Sequence, residues 1–160
     1  MRGRDYVKES TSMPGFRFLS AWWKHFLAYF QYNLGMMCEN SGREVQNYAG
    51  AAKWYEKAAE NGNAQAQFRL GLMYYNAQGV CQDYTAARSL WEKAAAQEHS
   101  LAQYNLGVMY NNGEGVFRDL RKAQEWYGRA CENGLQQGCV KYRELNWTRE
   151  GAPAYDDRLP

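Results

Sequence analysis

The sequence predicts an all-α protein of stacked antiparallel helix pairs, and three recurrences predict it. A Leu-Gly pair stands at Leu34-Gly35, Leu70-Gly71 and Leu106-Gly107, once every 36 residues. A bulky pair keeps the same period at Trp54-Tyr55, Leu90-Trp91 and Trp126-Tyr127. Behind it come EKAA from Glu56, EKAA from Glu92 and GRAC from Gly128. Three landmarks holding one period mark a helical-repeat solenoid, in which each unit buries its apolar faces on its neighbours.

Residues 1–15 read as loose, and residues 16–28 as an N-terminal cap helix. Leu19, Trp22, Trp23, Phe26 and Phe30 follow helical spacing there. Phe26 stands where the next copy has its turn glycine, Gly62, so the cap can run straight into the first repeat helix. The first reading of this segment is a cap buried on repeat one. A dimer contact through Trp22, Trp23 and Phe26 comes next, and a helix lying on a membrane last.

Repeat 1 spans residues 29–63, repeat 2 residues 64–99 and repeat 3 residues 100–135. In the middle copy the first helix runs from Ala64 to Gln78. Phe68, Leu72 and Tyr75 share one face, and Ala66, Leu70 and Tyr74 another. A helix apolar on two faces is wedged between neighbours. A glycine inside such a helix costs about 1 kcal/mol unless closeness requires it, so Gly71 marks a close helix approach. Gly79 breaks the helix. Asp83 caps the second helix, Tyr84 to Gln97, with Asn47 and Asp119 at the matching positions. Asn61-Gly62 and Asn133-Gly134 end the outer second helices, whereas the middle copy has Gln97-Glu98. Residues 136–147 read as a C-terminal cap helix, because Tyr142-Arg143 replaces the Leu-Gly pair. Residues 148–160 read as a disordered tail.

The stretch AQYNLGVMYNNGEGVFRDLRKAQEWYGRACENG, Ala102 to Gly134, resembles a Sel-one-like repeat, a relative of the tetratricopeptide repeat. The second copy departs from the pattern at Ala77, which replaces a loop glycine. The first departs at Phe30, Cys38 and Arg43. The resemblance covers Tyr29 to about Arg143. It implies a right-handed superhelix and a family of adaptors that bind other proteins.

A net charge of +2 without a basic run excludes a nucleic-acid module. The most apolar stretch, Phe16 to Tyr32, carries Arg17, Lys24 and His25, which argues against a membrane span and a secretory signal. The expected compartment is therefore the cytoplasm, with Cys38, Cys81, Cys131 and Cys139 reduced. The resemblance supplies an alternative: a secreted, cysteine-rich branch of the family bridges the spacing of Cys131 and Cys139, and some of its members are described as binding penicillin-like ligands. An exported hydrolase of that type is the remote reading. No catalytic set, metal site or cofactor motif is found. His25 and His99 lack partners for chemistry, and His99 reads as solvated in a turn. Asp83 and Asp119 read as caps. Gly113-Glu114-Gly115 lacks the strand and lysine of a phosphate loop.

The expected function is a non-catalytic scaffold that binds a partner segment on its concave face, which the resemblance to tetratricopeptide-like stacks implies is lined by the first helices. Phasing on the Leu-Gly pair places Tyr29, Tyr32, Met36 and Asn40 there from copy one. Copy two supplies Phe68, Leu72, Tyr75 and Asn76, and copy three Tyr104, Val108, Asn111 and Asn112. Rings can cover an apolar side chain and asparagine amides can bond a peptide backbone. The competing reading is that Phe68 and Tyr104 fill the inside of the curve. Self-assembly through the aromatic N-terminal helix is the second functional reading.

Overall fold

A computed structural model describes residues 14–40 and 47–150; of the expected loose segments 1–15 and 148–160, residues 14–15 and 148–150 are helical and the rest, like Arg43, lie outside the described residues. The elements are α1 (Pro14–Glu39), α2 (Tyr48–Glu60), α3 (Ala64–Asn76), α4 (Tyr84–Ala95), α5 (Ser100–Asn112), α6 (Leu120–Glu132) and α7 (Gln136–Glu150). Every element among the described residues is helical, and each helix packs on its neighbours in sequence. The molecule is the solenoid of 36-residue helix pairs that the recurrences predict. The N-terminal cap and the first repeat helix are one helix of 26 residues, uninterrupted because no turn glycine stands at Phe26.

The Leu-Gly landmark has a steric cause. A Cβ added at Gly35 would meet the Tyr55 ring at 2.5 Å, one at Gly107 the Tyr127 ring at 2.6 Å, and one at Gly71 would run into the Trp91 indole. Each ring of a second helix therefore presses directly against the bare backbone of its own first helix. Tyr55, Trp91 and Tyr127 are all buried, and the Trp91 indole donates to the Phe68 carbonyl at 3.2 Å. Ala51, Ala58, Ala87, Ala94, Ala123 and Ala130 let the helices approach without a gap.

A second recurrence is polar. Gln31, Gln67 and Gln103, one per repeat, are the buried polar side chains of the described core. The Gln67 amide donates back to the Ala59 carbonyl at 3.1 Å and accepts from Gln97 at 2.9 Å. Gln103 repeats this with the Ala95 carbonyl at 3.2 Å and Asn133 at 2.9 Å. Gln31 accepts from Asn61 at 2.9 Å. Each inner glutamine thus satisfies its own amide while tying its repeat to the one before.

One period after Ala95 and Gln103 stand Cys131 and Cys139, and they are joined in a disulfide with their Cα atoms 4.5 Å apart. The expectation of four reduced thiols is corrected. The short turn between α6 and α7 brings the two positions together just as it brings alanine and glutamine together at the inner junctions. A disulfide persists in oxidising surroundings, so the cytoplasmic location is corrected as well, in favour of an exported one.

The caps follow the sequence. Asn47 accepts from Gly50 at 2.8 Å, Asp83 from Thr85 and Ala86 at 2.9 Å, and Asp119 from Arg121 at 3.0 Å. Two turns lack the residue that their backbone favours. Ala77 ends α3 at φ 56°, where Gly113 ends α5 at φ 78°. Glu98 adopts φ 61°, where Gly62 and Gly134 adopt 88° and 84°.

A left-handed non-glycine residue costs roughly 1–2 kcal/mol, partly offset by glycine's greater freedom in the unfolded chain. Ala77→Gly and Glu98→Gly should each raise unfolding stability by a net ~0.5–1 kcal/mol. Urea titration measures this, and unchanged midpoints would contradict it. Thiol titration of the unreduced, denatured protein should find two thiols out of four cysteines, with the Cys131 and Cys139 peptides linked. Four thiols would restore the reduced reading.

Candidate functional site

The face formed by α1, α3 and α5 carries the residues assigned to partner binding, and they do not all reach it alike. Tyr29, Asn40, Asn76 and Asn112 are exposed. Tyr32, Met36, Leu72, Tyr75, Tyr104, Val108 and Asn111 are partly covered. Phe68 is buried, with its ring stacked on His99 at 4.7 Å. It belongs to the core around Trp91 and Leu106. Tyr104 packs against the Tyr127 ring at 5.4 Å and keeps one edge at the surface.

The structure gathers four of these residues at one place. Leu72, Tyr75 and Asn76 of α3, Trp91 of α4, and Asn105 and Val108 of α5 line a pocket of about 150 Å³ at the junction of repeats two and three. Tyr75 is held in position from three sides. Its ring meets Tyr84 and Trp91 at 5.3 Å each, and its hydroxyl donates to the Glu114 carboxylate. Burial first, and then the bond to Glu114, push its pKa up, so the hydroxyl keeps its proton. The pocket has an apolar floor and two amide side chains, Asn76 and Asn105.

Asn105 escaped the assignment of site residues. It follows Tyr104 and precedes the Leu-Gly pair, and its counterparts are Asn33 and Arg69. A polar residue at that position in all three copies was the available signal. Asn112, by contrast, is engaged within its own loop. Its amide donates to Glu114 at 3.1 Å and accepts from Asn111 at 3.0 Å.

One junction earlier the equivalent positions carry charge. Glu39 replaces Tyr75 and Arg69 replaces Asn105. Glu39 accepts from the Tyr55 hydroxyl at 2.5 Å and pairs with Arg69 at 3.5 Å. Burial and then the Glu39 bond raise the Tyr55 pKa. The first-helix face therefore offers an ion pair at one junction and an apolar pocket at the next.

Two larger clefts, of about 600 and 620 Å³, contain none of the assigned residues. Their walls include Arg88, Arg118 and Lys122 in one, and Arg121, Arg129 and Glu132 in the other. Among the described residues no group of three His, Cys, Asp or Glu side chains is placed to hold a metal ion, and no helix is long and apolar enough to cross a membrane.

His99 is not in a solvated turn. It is half-buried at the start of α5, where its Nδ1 accepts from the Ala102 N–H at 3.3 Å and its Nε2 lies 2.8 Å from the Gln65 side-chain oxygen. These two bonds require the neutral ring with its proton on Nε2.

Comparison with known proteins agrees with the repeat. The family model described as Sel1 repeat matches residues 28–63, 64–99 and 100–135. A protective antigen of uropathogenic Escherichia coli, c5321, displaying an SLR fold, is 34% identical with a TM-score of 0.70, covering 75% of this chain and 26% of its own. A Sel1 repeat protein from Oxalobacter formigenes is 29% identical with a TM-score of 0.71, covering 78% and 50%. Helicobacter pylori cysteine rich protein B is 20% identical with a TM-score of 0.59, covering 82% and 98%, and at that identity it supports the fold alone. The chain thus spans about a quarter of the Escherichia coli antigen and half of the Oxalobacter protein. No curated protein matches.

Burial holds the His99 pKa below its ordinary value of 6.5. Above about pH 6.5 the ring is neutral in both folded and unfolded chains, and its contribution to stability is whole. As pH falls from there toward the lower folded value, the unfolded chain takes up the proton first and stability drops. The thermal midpoint should therefore be lower at pH 5.5 than at pH 7.5. His99→Asn, which keeps a capping side chain, should flatten that slope. An equal slope in the variant would assign it to other groups.

Proposed function

The chain belongs to the Sel1 repeat family, and on that premise we propose that it is a binding scaffold whose first-helix face takes up an extended segment of a partner protein. The pocket between repeats two and three carries this reading. Its volume of about 150 Å³ is below the ~300–1,000 Å³ of small-molecule sites. It suits one aliphatic side chain of a peptide, with the Asn76 and Asn105 amides bonding the backbone on either side. The Glu39–Arg69 pair one repeat away adds a charged station for a second residue of the same segment. On this reading Tyr29, Tyr32, Met36, Asn40, Tyr104, Val108, Asn111 and Asn112 border the path of the peptide, and the chain acts by binding rather than by catalysis. The exposed rings of α1 support a second role for the scaffold, self-association through Trp22, Trp23 and Phe26.

Selection of a random-peptide display library on the immobilised protein should enrich segments with an aliphatic residue at one fixed position. Each lost amide bond is worth ~0.5–1.5 kcal/mol, so Asn76→Ala with Asn105→Ala should weaken the selected peptides by about 1–3 kcal/mol. Lys93→Ala on the second-helix side should leave them unchanged. Peptides that lose affinity with Lys93→Ala and keep it with the asparagine pair would place the site on the other face.

A further inference from the structure

The largest exposed apolar surface among the described residues lies on α1. Trp22, Trp23, Phe26, Tyr29, Phe30 and Met37 are each half or more exposed. At 100° per residue all six fall within an arc of about 120°, over a length of about 22 Å. The charged Lys24 sits about 160° away from Phe26, on the opposite side of the helix. Rings of this size at these exposures present roughly 700 Å² per chain. That exceeds the ~300–600 Å² patches of typical monomers.

The repeat shows what this face is and what it cannot accept. One and two periods after Phe30 stand Ala66 and Ala102, both fully buried; after Met37 stand Met73 and Met109, at 3% and 0% exposure. In the inner repeats the preceding second helix covers these positions. On α1 Phe30 is 54% and Met37 67% exposed. A helix docked on Phe30 as α2 docks on α3 would meet a phenyl ring where only a methyl group fits, so ordinary repeat stacking is blocked here. Among the described side chains of α7 the exposed large apolar ones are Val140 and Tyr142, beside the exposed Arg143 and Glu144, a poor match for head-to-tail stacking.

We infer that this face is covered by α1 of a second copy of the chain, antiparallel, about a two-fold axis near Phe30. The inference rests on the self-association reading and assigns its geometry. An axis at residue 30 sets Phe30 against its own copy, Trp23 opposite Met37 and Phe26 opposite Leu34, while Lys24 stays outside. Two such patches bury about 1,400 Å², within the ~1,200–2,000 Å² of stable interfaces.

Light scattering across a dilution series of the full chain should give twice the 18.5 kDa mass at high concentration. Phe30→Glu with Met37→Glu should raise the dimer dissociation constant at least ~10-fold, with the helical dichroism and thermal midpoint of the monomer kept. Phe30→Cys, oxidised, should yield a covalent dimer whose peptide map joins position 30 to itself. A monomer at every concentration would overturn both the pairing and the self-association reading. A dimer that ignores the glutamate pair, or that never links at position 30, would keep self-association and overturn this pairing. A monomer that floats with vesicles of anionic phospholipid through the same residues would make the face a membrane contact and overturn the pairing likewise.

Discussion

Everything in this solenoid depends on a ring lying against a glycine. Tyr55 on Gly35, Trp91 on Gly71 and Tyr127 on Gly107 set the distance between the two helices of each pair. That distance fixes where the alanines of the second helix fall and how closely the next pair can follow. The contact is intolerant in both directions. A Cβ on the glycine displaces the ring, and a smaller residue in place of the ring leaves a cavity beside bare backbone. A packing rule this strict explains why the landmark survives in all three copies while the surface between copies varies freely.

The variation between copies is where binding character arises. The framework presents the same six positions at each junction. At the first they include Glu39, Arg69 and Tyr55, and at the second Tyr75, Trp91 and two asparagines. Identical backbone geometry thus displays an ion pair and an apolar pocket about one repeat apart. Repeat scaffolds can change what they recognise in this way without disturbing the rings and glycines beneath.

Fold and site were legible to different depths. The helices, their caps and the role of Gly71 follow from spacing and residue chemistry, because each has a local cause. Placing the first-helix residues needed only the phase of the Leu-Gly pair, yet phase could not separate Phe68, buried under His99, from Leu72 at the surface. Nor could it reveal that Asn112 would bond within its own loop while Asn105 lined the pocket; both depend on contacts between repeats. His99 misled because histidine in a turn is commonly solvated, and its capping bond becomes visible only with Ala102 and Gln65 in place. The cysteine pair misled for another reason. A spacing of eight is the same in either redox state, and only the 4.5 Å approach of the two Cα atoms distinguishes them.

That cysteine pair occupies the last rung of the glutamine ladder, and its place bears on how the molecule comes apart. A buried glutamine needs a neighbour on each side, one to accept its amide protons and one to donate to its oxygen. At Gln67 and Gln103 that donor is Gln97 or Asn133, at the end of the second helix of the same repeat. A covalent link needs no such neighbour. Closing so short a loop also restricts the unfolded chain, worth about 2–3 kcal/mol in the chain-entropy description. In a linear stack the ends fray first, since each has a single neighbour. With α6 riveted to α7, melting among the described helices is biased to enter from the α1 side. Reduction of a single bond would open the second door.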